Sequence, residues 1–130
     1  MTSPSVGTEL APVVVAVTQE KIDRYAAAGG DGNPLHTDPA FAARTQFGGT
    51  IAHGMLTLAY VSEMLTTAFG QRWLEVGRLK VRFRAPARPG DTVTVSGRVR
   101  QVKDGRATCQ IEAHSQAQEV LLTGEAEVSL

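Results

Sequence analysis

The stretch GMLTLAYVSEMLTTAF, residues 54–69, decides which fold this sequence can adopt. It predicts a helix that carries apolar side chains on nearly every side and ends at Gly70. Such a helix is normally buried in the middle of a domain. The rest of the chain must therefore supply a continuous apolar wall around it.

That wall is predicted from segments in which apolar and polar residues alternate. In GRLKVRFRA, residues 77–85, the apolar residues Leu79, Val81 and Phe83 alternate with basic ones, as in a half-buried strand. The same period recurs in three later segments, residues 92–102, 106–115 and 119–130. They are separated by the turn-like sequences KDGR and SQAQ. The β-branched run VVVAV at 13–17 predicts one earlier strand.

A first helix is predicted directly after that early strand. Thr18 can cap its amino terminus, and Gly29 and Gly30 end it. A short helical turn is predicted at PAFAART, residues 39–45. Residues 1–10 are small and polar, and we expect them to be loose.

Together these elements predict one α+β domain over residues 1–130, a curled antiparallel sheet wrapped around the long buried helix. The length suits a single domain, and 42% hydrophobic with 20% charged residues is ordinary for a globular protein. The formal net charge of zero provides no basic footprint for nucleic acid or an anionic membrane. Neither partner is therefore expected.

The expected cellular location rests on the apolar runs of the chain, on its first ten residues and on its single thiol. No apolar run reaches the roughly 18 residues that span a bilayer. MTSPSVGTEL, residues 1–10, has neither the basic start nor the apolar stretch of a signal peptide. The single Cys109 lies in an alternating segment, which favours a buried structural thiol over a nucleophile and suits a reducing compartment. We therefore expect a cytoplasmic protein.

Between the two helices lies GGDGNPLHTD, residues 29–38, which is too polar to be core. Asp31, Asn33 and His36 crowd into it together with one proline. Pro34 fixes its own φ and biases Asn33 away from the helical region, and the Asn33 side chain can hold the turn. Such a segment is either an ordinary surface loop or a reactive site held in a fixed shape.

The same residues resemble a known family. GGDGNPLHTDPAFA followed by GGTIAHGML is similar to the hydratase motif of the MaoC-like family, and the resemblance runs from about Val15 to Val128. It implies the hot-dog fold, which agrees with the sheet and helix predicted above. It also implies a hydro-lyase, either an (R)-specific enoyl-CoA hydratase or a related 3-hydroxyacyl carrier-protein dehydratase.

By that resemblance, Asp31 and His36 are the catalytic pair. Hydration of an enoyl thioester needs a base that takes a proton from water and an acid that protonates the α-carbon. We assign His36 to the activation of water and Asp31 to proton donation. Gly54 resembles the family's backbone donor to the thioester oxygen, where negative charge builds up; alternatively, it simply allows tight packing at the helix start.

Besides Asn33, three positions are predicted to shape the site. His53 is expected to hydrogen-bond loop backbone rather than take part in chemistry. Ser62 either lines the pocket, as a polar residue does in similar enzymes, or bonds its own i−4 carbonyl. Gly32 stands where the family often has a bulky apolar residue, which is explained either by a positive φ or by space for a wide acyl group.

The substrate carrier is expected to bring phosphate. One strand carries four basic residues, Arg78, Lys80, Arg82 and Arg84. They either meet the phosphates of coenzyme A or phosphopantetheine or form an ordinary solvated face. No other cofactor is expected and no metal, since the spacing of histidines and aspartates fits no zinc pattern.

The last predictions concern two alternative functions and the oligomeric state. A thioesterase of the same fold and a non-catalytic subunit are the alternatives, and the intact motif argues against both. A homodimer or larger homo-oligomer is expected, because a lone sheet leaves an open edge.

Overall fold

The structure is a computed structural model that describes residues 4–130. Its five strands form one antiparallel sheet in the order β1-β3-β4-β5-β2. The strands are β1 (Val13–Ala16), β2 (Arg78–Phe83), β3 (Thr92–Lys103), β4 (Arg106–His114) and β5 (Val120–Ser129). The helices are α1 (Gln19–Gly29), α2 (Pro34–Thr37), α3 (Pro39–Ala43), α4 (Gly54–Phe69) and α5 (Gln71–Val76).

The core forms between α4 and one face of the sheet. The apolar side chains that α4 buries are Leu56, Val61, Met64, Leu65 and Phe69. Alternate residues of the strands complete the same cluster, among them Val93, Val95, Val99, Cys109 and Ile111. Burying one large aliphatic side chain stabilises the fold by about 1.5–3 kcal/mol. The predicted α+β fold, a sheet around one long helix, is confirmed and is the hot-dog arrangement.

Helix α4 is buried on one side only. Its outer side exposes Met55, Ala59, Glu63 and Thr67, so the chain does not surround the helix completely. Tyr60 lies on the half-buried flank, where burial raises the pKa of its phenol and the Glu63 carboxylate adds to that rise. The expectation of an enclosed helix is therefore met on the sheet side alone.

The helix ends follow the predicted capping residues. The Thr18 side chain accepts from the Lys21 N–H at 3.2 Å, and Gly30 ends α1 in the left-handed conformation with φ 71°. Helix α3 confirms the helical turn predicted at PAFAART. Helices α2 and α5 were not predicted, because segments of four and six residues are too short to show a helical period.

The expectation that residues 1–10 are loose is wrong for residues 7–10. Gly7 donates to the Val99 carbonyl at 2.8 Å, and Leu10 donates to the Gly97 carbonyl at 2.9 Å. Leu10 is buried, and a Cβ on Gly97 would lie 3.1 Å from its methyl carbon Cδ1. The segment is thus an extension of the sheet along β3, while residues 1–3 lie outside the described part. No helix within residues 4–130 is long and apolar enough to cross a membrane.

Cys109 is a free and fully buried thiol on β4, as predicted. Burial raises the pKa of this thiol to about 11. A thiol that stays protonated at neutral pH is a poor nucleophile. Its role is therefore structural.

Candidate active site

The polar segment after α1 is shaped by side chains that bond nearby backbone. The Asp31 carboxylate accepts from the Asn33 N–H at 3.2 Å. Asn33 in turn caps α2 by accepting from the Leu35 N–H at 2.9 Å, and Asp38 caps α3 by accepting from the Ala40 N–H at 3.1 Å. These local bonds compete well with regular structure and hold the backbone in consecutive turns. Asn33 thus has the turn-holding contact that its side chain suggests.

The His36 ring is oriented by the carbonyl of Ile51. His36 Nδ1 lies 2.7 Å from the Ile51 carbonyl oxygen. A carbonyl oxygen can only accept, so Nδ1 carries the proton and Nε2 holds the lone pair of the neutral ring. His36 therefore presents Nε2 as the nitrogen that can act as a base.

His53 contacts both Asp31 and His36. It occupies the N-cap position of α4 without a side-chain capping bond, is only 3% exposed, and its Nε2 donates to the Asp31 carbonyl at 2.9 Å. Its ring stacks on His36 with 3.8 Å between centroids and meets the Tyr25 ring at 4.8 Å. Its buried Nδ1 has no hydrogen-bond partner among residues 4–130. The predicted bond from His53 to loop backbone is present, and the stacking on His36 adds a second contact.

The structure brings Asp31 and His36 together. Asp31, His36 and His53 each place one nitrogen or carboxylate oxygen within 4.8 Å of the others. The Asp31 carboxylate is half exposed, and its Oδ2 lies 4.0 Å from His53 Nε2. A carboxyl group and a neutral imidazole at this separation can exchange protons with one bound water.

Gly54 supplies a free N–H beside this pair. It is the first residue of α4, and within the described chain its N–H meets no acceptor. The positive end of the helix dipole lies at the same point. A Cβ on Gly54 would come within 3.0 Å of the Phe83 ring, so glycine is also needed for packing. The packing explanation of Gly54 is therefore present in the structure, and the donor role stays a prediction with which the free N–H is compatible.

A cavity of about 530 Å³ opens beside His36 and Gly54. Its wall is mainly apolar and includes Phe47, Ile51, Met55, Phe83 and Leu121. Met55 and Phe83 are more than half exposed, at 55% and 53%. The alternating pattern places Phe83 on the same face as the half-buried Leu79 and Val81, but at the strand end its ring is exposed and lines this cavity. An exposed aromatic ring in a cavity wall is typical of a ligand-binding surface.

The remaining predicted positions lie in different places. The Ser62 hydroxyl accepts from Trp73 Nε1 at 3.0 Å, so it ties α5 to α4 and does not line the His36 cavity. Gly32 does not have a positive φ, and a Cβ there would meet open space. Of the four basic residues predicted on one strand, Arg84 lies just after the end of β2 and lines the cavity, and its Nε donates to the Thr123 hydroxyl at 3.3 Å.

The fold and the site together define a class of protein. A carboxyl group and an imidazole meet near the amino terminus of the central hot-dog helix, and the imidazole lines an apolar cavity, which suits proton transfer on an apolar substrate. Residues 2–120 match the MaoC like domain family, and the chain belongs to that family.

Relatives and solved structures agree with this assignment. The chain is 39% identical over 101 residues to 3-hydroxyacyl-thioester dehydratase Z of Mycobacterium tuberculosis, covering 74% of this chain and 67% of the relative. It is 35% identical over 113 residues to the (R)-specific enoyl-CoA hydratase of Aeromonas caviae, covering 85% and 84%. The solved (R)-hydratase from A. caviae superposes with a TM-score of 0.86 at 32% identity, covering 100% of this chain and 99% of that one. The protein is a hydro-lyase of the hydratase and dehydratase type.

Proposed function

We propose that this protein adds water to trans-2-enoyl-CoA thioesters to form (R)-3-hydroxyacyl-CoA, and catalyses the reverse dehydration. The observation that carries the proposal is that the Asp31 carboxyl group lies close to His36, and that His36 lines the same apolar cavity as Gly54, whose N–H is free within residues 4–130. Relatives named as (R)-specific hydratases support the product stereochemistry.

Each group has one task in the proposed reaction. His36 Nε2 takes a proton from water while the water oxygen bonds to the β-carbon. The electron pair of the double bond moves toward the thioester, and the Gly54 N–H donates to the oxygen that becomes negative. One such donor contributes about 3 kcal/mol to the transition state. Asp31 then protonates the α-carbon, and the proton held by His36 restores the Asp31 carboxyl group.

The carrier of the acyl group and the direction are also proposals. Arg84 at the cavity and the neighbouring basic face suit the phosphates of coenzyme A or of a carrier protein's phosphopantetheine. Relatives named as 3-hydroxyacyl-thioester and 3-hydroxybutyryl-CoA dehydratases support dehydration as the alternative direction. The reaction proposed here needs no cofactor beyond that carrier and no metal, and elemental analysis of the active protein tests the second point.

We also propose a homodimer or larger homo-oligomer in the cytoplasm. Strand β2 is at an edge of the described sheet, and Met55 and Phe83 expose apolar surface near it. A second copy could cover both. Light scattering on the purified protein gives the mass, and a monomer at working concentrations would contradict the assembly. The unpaired Cys109 is consistent with a reducing compartment.

The proposed reaction is tested by a hydration assay with short, long and ring-bearing enoyl-CoA thioesters. We expect the double bond to be consumed, with (R)-3-hydroxyacyl-CoA as product and no release of free thiol. A dominant (S) product would contradict the stereochemistry. Thiol release without hydration would assign the protein as a thioesterase.

Gly32 leads to a proposal about the width of the acyl group. Because the position has neither a positive φ nor a neighbour that a side chain would strike, space beside Asp31 is the remaining explanation of the two. We expect Gly32→Leu to keep kcat/KM on a four-carbon substrate and to lower it on branched or ring-bearing ones. An equal loss on all substrates would contradict the wide-pocket proposal.

A further inference from the structure

Gln19, the first residue of α1, reaches across to the segment that carries His36. Its side-chain Nε2 donates to the His36 carbonyl at 2.7 Å, and its Oε1 accepts from the Thr50 hydroxyl at 2.7 Å. A carbonyl oxygen only accepts, so the amide orientation is fixed, with nitrogen toward His36 and oxygen toward Thr50. Thr50 is 8% exposed and Gln19 is half-buried, so the bond between them is partly shielded from solvent.

The partner of Gln19 is the direct neighbour of the group that orients His36. Thr50 precedes Ile51, whose carbonyl accepts from His36 Nδ1 at 2.7 Å. The Ile51 N–H also donates to the Leu35 carbonyl, at the longer distance of 3.4 Å. Residues 50–51 therefore hold the His36 ring, while Gln19 holds those residues against the His36 backbone. The Gln19 side-chain amide thus links the His36 backbone to Thr50.

We propose that Gln19 is a positioning residue for His36. It keeps the His36 backbone at a fixed distance from residues 50–51, so the Nδ1–H stays on the Ile51 carbonyl and Nε2 stays free. The importance of that orientation for catalysis rests on the proposed function, in which Nε2 is the base. The orientation itself does not depend on which reaction the protein catalyses.

The chain contains a matched control at Gln71. Both glutamines begin a helix, and both place Nε2 on an acid four residues later: Gln19 on Asp23 at 2.9 Å and Gln71 on Glu75 at 3.1 Å. Gln71 has no contact with the site in the described structure. Replacing either with alanine removes the local contact, but only Gln19→Ala also removes the two 2.7 Å bonds.

The first readout is the tautomer of His36, measured by nitrogen NMR on the labelled ring at a pH where it is neutral. We expect wild type and Gln71→Ala to show the proton on Nδ1. Gln19→Ala should shift a measurable fraction of the ring to the Nε2–H tautomer, because the Ile51 carbonyl is no longer held in place. An unchanged ring signal in Gln19→Ala would overturn the proposal.

The second readout is the division between kcat and KM for hydration of a four-carbon enoyl-CoA. Displacing a catalytic group by about 1 Å can cost up to about a hundredfold, so we expect kcat of Gln19→Ala to fall about tenfold to a hundredfold. KM should change by no more than about twofold, since Gln19 does not line the cavity. Gln71→Ala should match wild type, and equal losses in both variants would overturn the proposal.

Thr50 provides a second route if Gln19→Ala does not fold. Thr50→Val removes the hydroxyl at nearly constant shape and should shift both readouts in the same direction, whereas Thr50→Ser keeps the hydroxyl and should restore them. Failure of Thr50→Ser to restore them would contradict the proposal. If the wild type hydrates no enoyl thioester while the tautomer shifts as expected, the proposed function fails and the positioning role stands.

Discussion

The polar segment between α1 and α4 and the three long strands are stabilised in opposite ways. Strands β3, β4 and β5 form long antiparallel ladders, and inward residues such as Val95 and Ile111 are at most 1% exposed. The polar segment is mostly exposed and takes its shape from individual bonds, such as those made by Asn33 and His53. Burial stabilises the strands in bulk, whereas each bond in the segment fixes one group.

Because of this difference, we expect the strands to determine the free energy of unfolding and the polar segment to determine the position of the reacting groups. Removing an apolar side chain from the sheet leaves a cavity and lowers the free energy of unfolding. Removing a polar group from the exposed segment costs little burial but changes the position of a reacting atom. Substitutions in the two regions should therefore change different measurements.

The largest expected effect is on kcat, from Asp31→Asn and His36→Gln. Each should lower kcat by about two to four orders of magnitude, because each removes a proton-transfer group. The double variant should be hardly worse than either single one, because both groups act on one water. Steady-state kinetics measure kcat, and thermal unfolding measures the melting temperature, which should stay near that of wild type.

The core counterpart of this prediction is Met64→Ala. Met64 is fully buried on α4, so the substitution should lower the free energy of unfolding by about 2–5 kcal/mol. The kcat per folded molecule should remain close to wild type. Independent multiplicative losses in the Asp31 and His36 pair, or a large loss of kcat in Met64→Ala, would contradict the separation.

The next prediction tests separately the two contacts of His53, which are the hydrogen bond to the Asp31 carbonyl and the ring stacking on His36. His53→Gln can still donate to the Asp31 carbonyl but has no ring to stack on His36, whereas His53→Phe keeps a ring and loses the donor. We expect each to lower kcat about tenfold through displacement of Asp31 or His36. The control is His114→Gln on β4, since His114 also has a buried Nδ1 without a hydrogen-bond partner in residues 4–130. Equal kcat in all three variants would remove His53 from the site.

A smaller effect is expected where the start of α4 meets the sheet, at Gly54 and Phe83. Gly54→Ala places a methyl group within 3.0 Å of the Phe83 ring while keeping the N–H, so we expect kcat/KM to fall about tenfold. Adding Phe83→Leu should restore most of this loss, because the shorter side chain leaves room. Phe41 on α3 is another exposed phenylalanine, so Phe41→Leu in place of Phe83→Leu serves as the control. No recovery in the double variant would show that ring crowding is not the cause.

Local sequence patterns predicted much of the fold and the centre of the site. The bounds of α4 and the faces of β3 and β4 follow from hydrophobic period, and the end of α1 follows from its glycines. Asp31 and His36 were found because a motif places them five residues apart on one rigid segment. Gly54 was found because it begins the long helix.

Other features depend on contacts that no local pattern contains. Gln19 bonds residues 17 and 31 positions away, and Trp73 bonds Ser62 from a helix too short to predict. The exposure of Phe83 follows from where the sheet edge meets α4, which alternation along one strand cannot give. Long-range hydrogen bonds form only after the fold has brought their partners together, so they were missed.

The smallest expected effect concerns Cys109, which belongs to the apolar region and should be silent in catalysis. Burial raises the pKa of its thiol from 9.0 to about 11, so the folded state disfavours the thiolate. The stability gained from keeping the thiol neutral is complete below pH 9 and is lost as pH rises toward 11, by on the order of 2 kcal/mol. Cys109→Ala has no thiol to titrate, so denaturant unfolding at several pH values should show its stability deficit shrinking across that window. The kcat of Cys109→Ala should stay within about twofold of wild type, because the thiol lies on the sheet and outside the His36 cavity. Rapid inactivation of the folded protein by a thiol reagent at neutral pH would contradict this structural role.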